Sequence, residues 1–196
     1  PNSLKFIDQT GTGGPQDILL MFDNTPNITT ANINTLMTPY VSGVLTYSHM
    51  MKVVSGKTGY FNFQAENTPG VQWALEVNLD AAGGMVMTNT SGTNFSASYP
   101  NGQWFEIKFV IDLSMNNWEV FVDNVSQGSF TNTINQISSI DLFPNANSEF
   151  WVDDICYDYQ PAMLDPLNAQ ISTIDAITGL VGQQKEPVVS IRNFGQ

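Results

Sequence analysis

Apolar and polar residues alternate with a period of two through much of the first 160 positions. Gly, Pro, Asn and Asp break the alternation at intervals near the roughly 8 to 12 residues usual between strands of a β-sandwich. Helical spacing is almost absent. The pattern predicts strands at Ser3–Asp8, Asp17–Phe22, Val44–Val54, Gly59–Ala65, Val71–Leu79, Met85–Thr88, Trp104–Ile111, Trp118–Val122, Ile137–Phe143 and Phe150–Tyr157. Successive side chains of a strand leave opposite faces, so Phe61 and Phe63 are expected in the core while Tyr60, Asn62 and Gln64 look outward. By the same rule Val71, Trp73, Leu75 and Val77 point inward and Gln72, Glu76 and Asn78 outward. Phe105, Ile107, Phe109 and Ile111 oppose Glu106 and Lys108, and Asp112 to Asn117 supply turn residues before Trp118. The expected architecture is all-β, a two-sheet antiparallel jelly-roll sandwich over residues 1–159.

After Tyr159 the texture changes. Residues 160–167 hold two prolines and no period, which predicts a linker. Asn168–Ile174 and Pro187–Asn193 read as two strands that cannot close a core alone, so 168–196 is expected to be the truncated start of a second β module. A chain that opens at Pro1 reads as an excised or processed piece.

Composition narrows the chemistry. With one cysteine, Cys156, and one histidine, His49, internal disulfides, most zinc patterns and nearly every nucleophilic triad are not expected. His49 reads as a structural histidine, and Cys156, between Ile155 and Tyr157, as a small buried hydrophobe. Charged residues make up only 12% of the chain, with Lys and Arg numbering 6, and the formal charge is −12, which disfavours nucleic acid as a partner. No apolar run is long enough to insert into a membrane. Sequons occur at Asn27, Asn89, Asn94 and Asn124.

Five stretches carry family resemblances. Asn101-Gly-Gln-Trp104, the strand Glu106 to Asp112, and Trp118-Glu-Val-Phe-Val-Asp123-Asn124 together resemble laminin-G and concanavalin-A-like jelly rolls, with Asn124 where glycine is usual. Phe150-Trp-Val-Asp153-Asp154-Ile155 resembles the final strand of MAM domains and of jelly-roll carbohydrate-binding modules. Pro187-Val-Val-Ser-Ile-Arg-Asn193-Phe-Gly195 resembles a strand of immunoglobulin-like modules. The resemblance implies a ligand-binding module of a secreted or cell-surface multidomain protein. It also implies structural Ca2+ held by Asp153 with Asp8 or Asp17 as companions; otherwise Asp153 accepts backbone hydrogen bonds at a strand end. Asp153 and Asp154, being adjacent on a strand, are expected to leave opposite faces.

Tyr60, Asn62, Gln64, Gln72 and Glu76 form the candidate ligand face, an aromatic plate among amides and a carboxylate, suited to a glycan or polymer. Any exposed sheet is also polar outside, which keeps a plain solvated face as the alternative. Trp104, Trp118 and Trp151 are further candidate sugar platforms, the last two at strand beginnings where a core role fits as well. Trp73 is expected in the core. Glu76-Val-Asn78-Leu-Asp80 resembles the acidic strand of laminarinase-type glucanases, but Asn78 replaces the middle acid. The leading expectation is therefore a non-catalytic binding or adhesion module. The alternatives are a structural spacer or accessory domain of a secreted protease or glycosidase, whose partners are neighbouring domains of the same chain, and a laminarinase-type glycanase using Glu76 and Asp80.

Overall fold

The computed structural model describes residues 3–22, 38–66, 68–162, 169–174 and 189–193; Asn27 and much of the expected linker and tail lie outside them. Short alternating segments form twelve strands: β1 Leu4–Ile7, β2 Ile18–Met21, β3 Val44–Val53, β4 Gly59–Gln64, β5 Trp73–Leu79, β6 Gly84–Asn89, β7 Gly92–Ser98, β8 Phe105–Asp112, β9 Asn117–Val122, β10 Val125–Phe130, β11 Ser139–Leu142 and β12 Glu149–Gln160. They pair into two six-stranded antiparallel sheets, ordered β1-β12-β3-β8-β9-β10 and β2-β11-β4-β5-β6-β7. This is a jelly-roll sandwich. Residues 162–196 form a separate unit in which β13 (Ala169–Ile174) pairs antiparallel with β14 (Val189–Asn193). No helix among the described residues is long and apolar enough to cross a membrane.

The expected inward residues make the core. Phe61, Phe63, Phe105, Ile107, Phe109, Ile111 and Trp118 are fully buried. Phe63 of the second sheet meets Phe109 and Trp118 of the first at ring separations of 5.1 and 6.0 Å, both edge to face, the arrangement aromatic quadrupoles prefer. His49 lies in the same layer, its Nδ1 2.9 Å from the Tyr47 hydroxyl and its ring 4.9 Å from Phe61.

Two expected strands were extended by ones the pattern did not predict. β7 and β10 are rich in Ser, Thr, Gly and Gln and sit at the sheet edges, where one side of the ladder is open and apolar alternation is not required. β10 follows β9 through the two-residue loop Asp123-Asn124, whose φ values of 49° and 61° are those of a hairpin turn matched to strand twist.

Two bulges overturn sequence expectations. Phe63 pairs with Leu75 and Gln64 with Trp73, so Ala74 is an extra residue in β5. Beyond it the parity reverses: Ala74 and Leu75 are both buried, Trp73 turns to the outer face and becomes half-buried, and Val71 is 62% exposed rather than inward. A second bulge lies between Asp153 and Cys156, with Asp154 at φ 48°. It directs Tyr157 and Tyr159 against the core and leaves Cys156 exposed, correcting the expectation of a buried thiol.

The Ala74 bulge is held by Asn132, which is buried and donates from Nδ2 to the Ala74 carbonyl at 3.0 Å. Asn132 Oδ1 accepts from Asn89 Nδ2 at 2.7 Å, Asn94 Nδ2 at 3.2 Å and the Ile134 amide at 3.2 Å. Asn132→Ala removes the side-chain partner of the buried Ala74 carbonyl and one partner each of Asn89, Asn94 and the Ile134 amide, and is expected to cost about 2 to 3 kcal/mol. A urea melt checks this as a lower midpoint at unchanged m; an unmoved midpoint would show that the network contributes nothing.

Candidate functional site

The outer face of the second sheet carries the sequence-predicted ligand residues. Register places Asp141 of β11, Asn62 of β4, Glu76 of β5 and Thr88 of β6 in one row. Asn62 donates from Nδ2 to Asp141 Oδ2 at 3.0 Å and accepts from Gln64 Nε2 at 2.6 Å, while the Tyr60 hydroxyl donates to Glu76 Oε1 at 2.9 Å. Gln64 Oε1 accepts the Gly70 amide at 2.9 Å. Tyr60, Asn62, Gln64 and Glu76 thus share a neighbourhood, whereas Gln72 precedes β5 beyond the Ala74 bulge, where the parity is reversed, and the expectation that all five meet solvent on one face is corrected. Tyr60 is 6% exposed, Asn62 1% and Gln64 2%; Gln72 and Glu76 are half-buried. β4 is a central strand, and its polar side chains spend their hydrogen bonds on neighbours from both flanks.

Asp141 was not predicted. Burial pushes its carboxyl up to about 6, with the Asn62 amide opposing the rise and the Asp17 carboxylate adding to it. Burial, then the Glu76 carboxylate, pushes the Tyr60 phenol well above its ordinary range.

The residues of the glycanase expectation have other partners. Asp80 lies past the end of β5, and its Oδ1 accepts the amides of Ala82 and Gly84, both at 2.8 Å, which organises the turn into β6. Glu76 is engaged by Tyr60.

The three candidate metal ligands do not meet. Asp8 Oδ1 accepts the amides of Thr10, Gly11 and Gly13, and its Oδ2 accepts that of Asn147 at 2.9 Å, with the Asn147 bond first among the causes that bring the carboxyl down to about 2. Leu4 pairs with Val152 and Ile7 with Glu149, so Asp8 and Asp153 stand at opposite ends of the β1–β12 ladder, about 16 Å apart at strand rise. Asp17 lies beside Asp141 on the other sheet. Among the described residues no group of three or more His, Cys, Asp or Glu side chains is placed to hold a metal ion.

The outer face of the first sheet holds the more open site. Lys5 of β1 pairs with Trp151 of β12, Trp151 with Lys52 of β3, and Trp104, one residue before β8, continues the Met51–Phe105 register to lie beside Lys52. The row therefore reads Lys5, Trp151, Lys52, Trp104, with the indoles rooted two strand spacings apart, about 9.6 Å. Trp104 is 41% exposed. A cleft of about 470 Å³ is lined by Ser3, Lys52, Trp104 and Trp151. It adjoins, at Trp104, a hollow of about 130 Å³ lined also by Met50, Asp153 and Asp154. The bulge thus brings both aspartates to one hollow, against the expectation that adjacent strand residues diverge. The signal for this site was the alternation itself: Phe105, Phe150 and Val152 inward require Trp104 and Trp151 outward.

No protein-family model matches the chain, and no curated protein matches it. Among solved structures, an alginate lyase from Alteromonas sp. 272 superimposes with a TM-score of 0.51 at 10% identity, over 81% of this chain and 88% of that one. The Caenorhabditis elegans galectin LEC-6 does so with a TM-score of 0.49 at 10% identity, over 79% and 95%. A sialidase gives 0.48 at 14% identity over 60% of this chain, which spans only 13% of the sialidase's length. What the lyase shares with this chain is the concanavalin-A-like jelly-roll fold.

Proposed function

We propose that residues 3–160 form a non-catalytic carbohydrate-binding module of a secreted or cell-surface protein, with the glycan seated in the Trp104–Trp151 cleft. The observation that carries this reading is a pair of accessible indoles two strands apart, with Lys52 rooted between them and Asp153 and Asp154 lining the adjoining hollow. Sugar rings present apolar C–H faces to indoles, and each hydroxyl both donates and accepts, so an ammonium and a carboxylate beside the plates serve both roles. The mixed local charge and the formal charge of −12 favour a neutral glycan over a polyanion. The non-catalytic part of the proposal is supported by the engagement of Glu76 and Asp80 in hydrogen bonds within the fold and by the burial of the single histidine.

Affinity electrophoresis through gels containing neutral polysaccharides (β-glucan, xylan, galactomannan, fructan) tests the proposal. Retardation in at least one gel is expected, weakened about tenfold, or about 1.4 kcal/mol, by Trp104→Ala or Trp151→Ala. Both side chains are outside the core, so thermal melting should stay nearly constant. Free migration of the unmodified protein in every gel, or unchanged retardation of both variants, would overturn the assignment.

A further inference from the structure

Lys5 and Trp151 are lateral neighbours, and the Lys5 ammonium stands over the Trp151 ring, 5.2 Å from its centroid. That ammonium is tied to Glu149 Oε1 at 2.8 Å, the one ion pair among the described residues. One face of the indole, on the β1 side, is therefore occupied by a cation that is itself held. Trp104 stands across Lys52 from Trp151 in the row, and these three side chains with Ser3 line the open cleft. Trp151 is half-buried and is backed on the β1 side by a cation–aromatic contact. Lys52 has no ion-pair partner among the described residues, is rooted between the two tryptophans and lines the cleft with them. A separation of about 9.6 Å between the roots of the two indoles lets one flat ring seated over Lys52 touch both, and is too little for two rings stacked side by side.

Resting on the carbohydrate-binding reading above, we infer that the cleft is a clamp: one pyranose ring from the interior of a linear neutral polysaccharide is held between the indoles of Trp151 and Trp104. The polymer runs along the strand direction, and the Lys5–Glu149 pair positions Trp151 as the fixed wall. Lys5 is a positioning residue, since it acts on the ligand through the indole. The Lys52 ammonium donates to ring substituents from below, and Asp153, at the edge of the adjoining hollow, accepts from the next ring along the chain.

The test is calorimetric titration of the full chain with a series of neutral oligosaccharides cut from whichever polymer retards it, each in its natural form and with its reducing end converted to the alditol. A clamp on an interior ring predicts that the alditols of trisaccharides and longer bind as the natural forms do. It also predicts strong non-additivity: Trp104→Ala and Trp151→Ala each lower affinity about tenfold or more, and the double variant falls no more than about twofold further, because either wall alone holds nothing. Lys5→Met, which keeps the apolar stem but removes the charge, should weaken binding severalfold, and Lys5→Arg should restore it, with melting temperature unchanged in both. Additive losses in the double variant would replace the clamp by two independent platforms, and full affinity in Lys5→Met would remove the positioning role. Loss of binding on reduction of the chain end would place the site at a terminus. Additive losses or a terminal site overturn the clamp, and full affinity in Lys5→Met overturns the role given to Lys5, each leaving carbohydrate binding intact, whereas the absence of binding to any glycan overturns both readings.

Discussion

Acidifying the protein from pH 6.5 to about pH 4 is expected to lower the stability of the sandwich by about 2 kcal/mol, and His49 is the cause. Its imidazole is fully buried in the aromatic layer, its Nε2 has no partner, and burial depresses its pKa from 6.5 to about 3. A histidine whose folded pKa lies below its unfolded value binds more protons when unfolded, so stability is lost as pH falls from 6.5 toward 3. Integrated to pH 4, that difference is on the order of 3 kcal/mol. Asp141 works the other way. Its folded pKa, about 6, lies above the ordinary 3.8, so acidification through that window stabilises the fold. Asp141 keeps partial access to solvent, and screening reduces its share to about 1 kcal/mol, which leaves the net loss near 2. Asp8 adds a further loss below about pH 4, because its folded carboxyl stays ionised down to about 2. Urea melts across this pH range measure the profile. His49→Asn can place an amide oxygen near the position of Nδ1, keeping an acceptor for the Tyr47 hydroxyl, and should flatten or invert the slope between pH 6.5 and 4. An unmodified protein as stable at pH 4 as at 6.5 would rule out a neutral, buried His49.

Truncating Phe63 is expected to have the largest effect of any single core substitution named here, a loss of about 3 to 5 kcal/mol. Phe63 is fully buried and touches four aromatic rings, Tyr47, Phe61, Phe109 and Trp118, at centroid separations of 5.6, 6.2, 5.1 and 6.0 Å. Three of these rings belong to the opposite sheet, so Phe63→Ala removes contacts that hold the two sheets face to face, and rigid neighbouring rings cannot close the space left behind. For a domain of this size the loss corresponds to a fall in melting temperature of roughly 10 °C. Phe63→Leu, which refills most of the volume, should recover more than half of it. A drop of less than about 1 kcal/mol for Phe63→Ala would mean that the inter-sheet layer is not packed as described.

The strongly alternating strands were legible because the apolar interior imposes a period of two wherever one face of a strand is buried; β3, β8 and β9 follow it residue by residue. β7 and β10 escaped because edge strands at a sandwich margin can be held mainly by backbone hydrogen bonds, which leave little mark on side-chain pattern. The candidate site was legible in part. The parity of Phe105 and of Phe150 already sets Trp104 and Trp151 outside, but nothing in either segment says that β12 and β8 flank β3 and so bring the two indoles to one cleft.

From the sequence by itself came the all-β class, the composition of the core and the two faces of each regular strand, because these depend on local alternation and on the free energy of burying apolar surface. The tertiary structure alone decided where alternation fails and what covers the polar face. A single extra residue at Ala74 turned Trp73 outward, another irregularity after Asp153 exposed Cys156, and side chains on the flanking strands engaged the buried Tyr60 and Asn62. Bulges and cross-strand hydrogen bonds arise from pairing between segments far apart in the chain, and a period read along one segment carries no information about its partner.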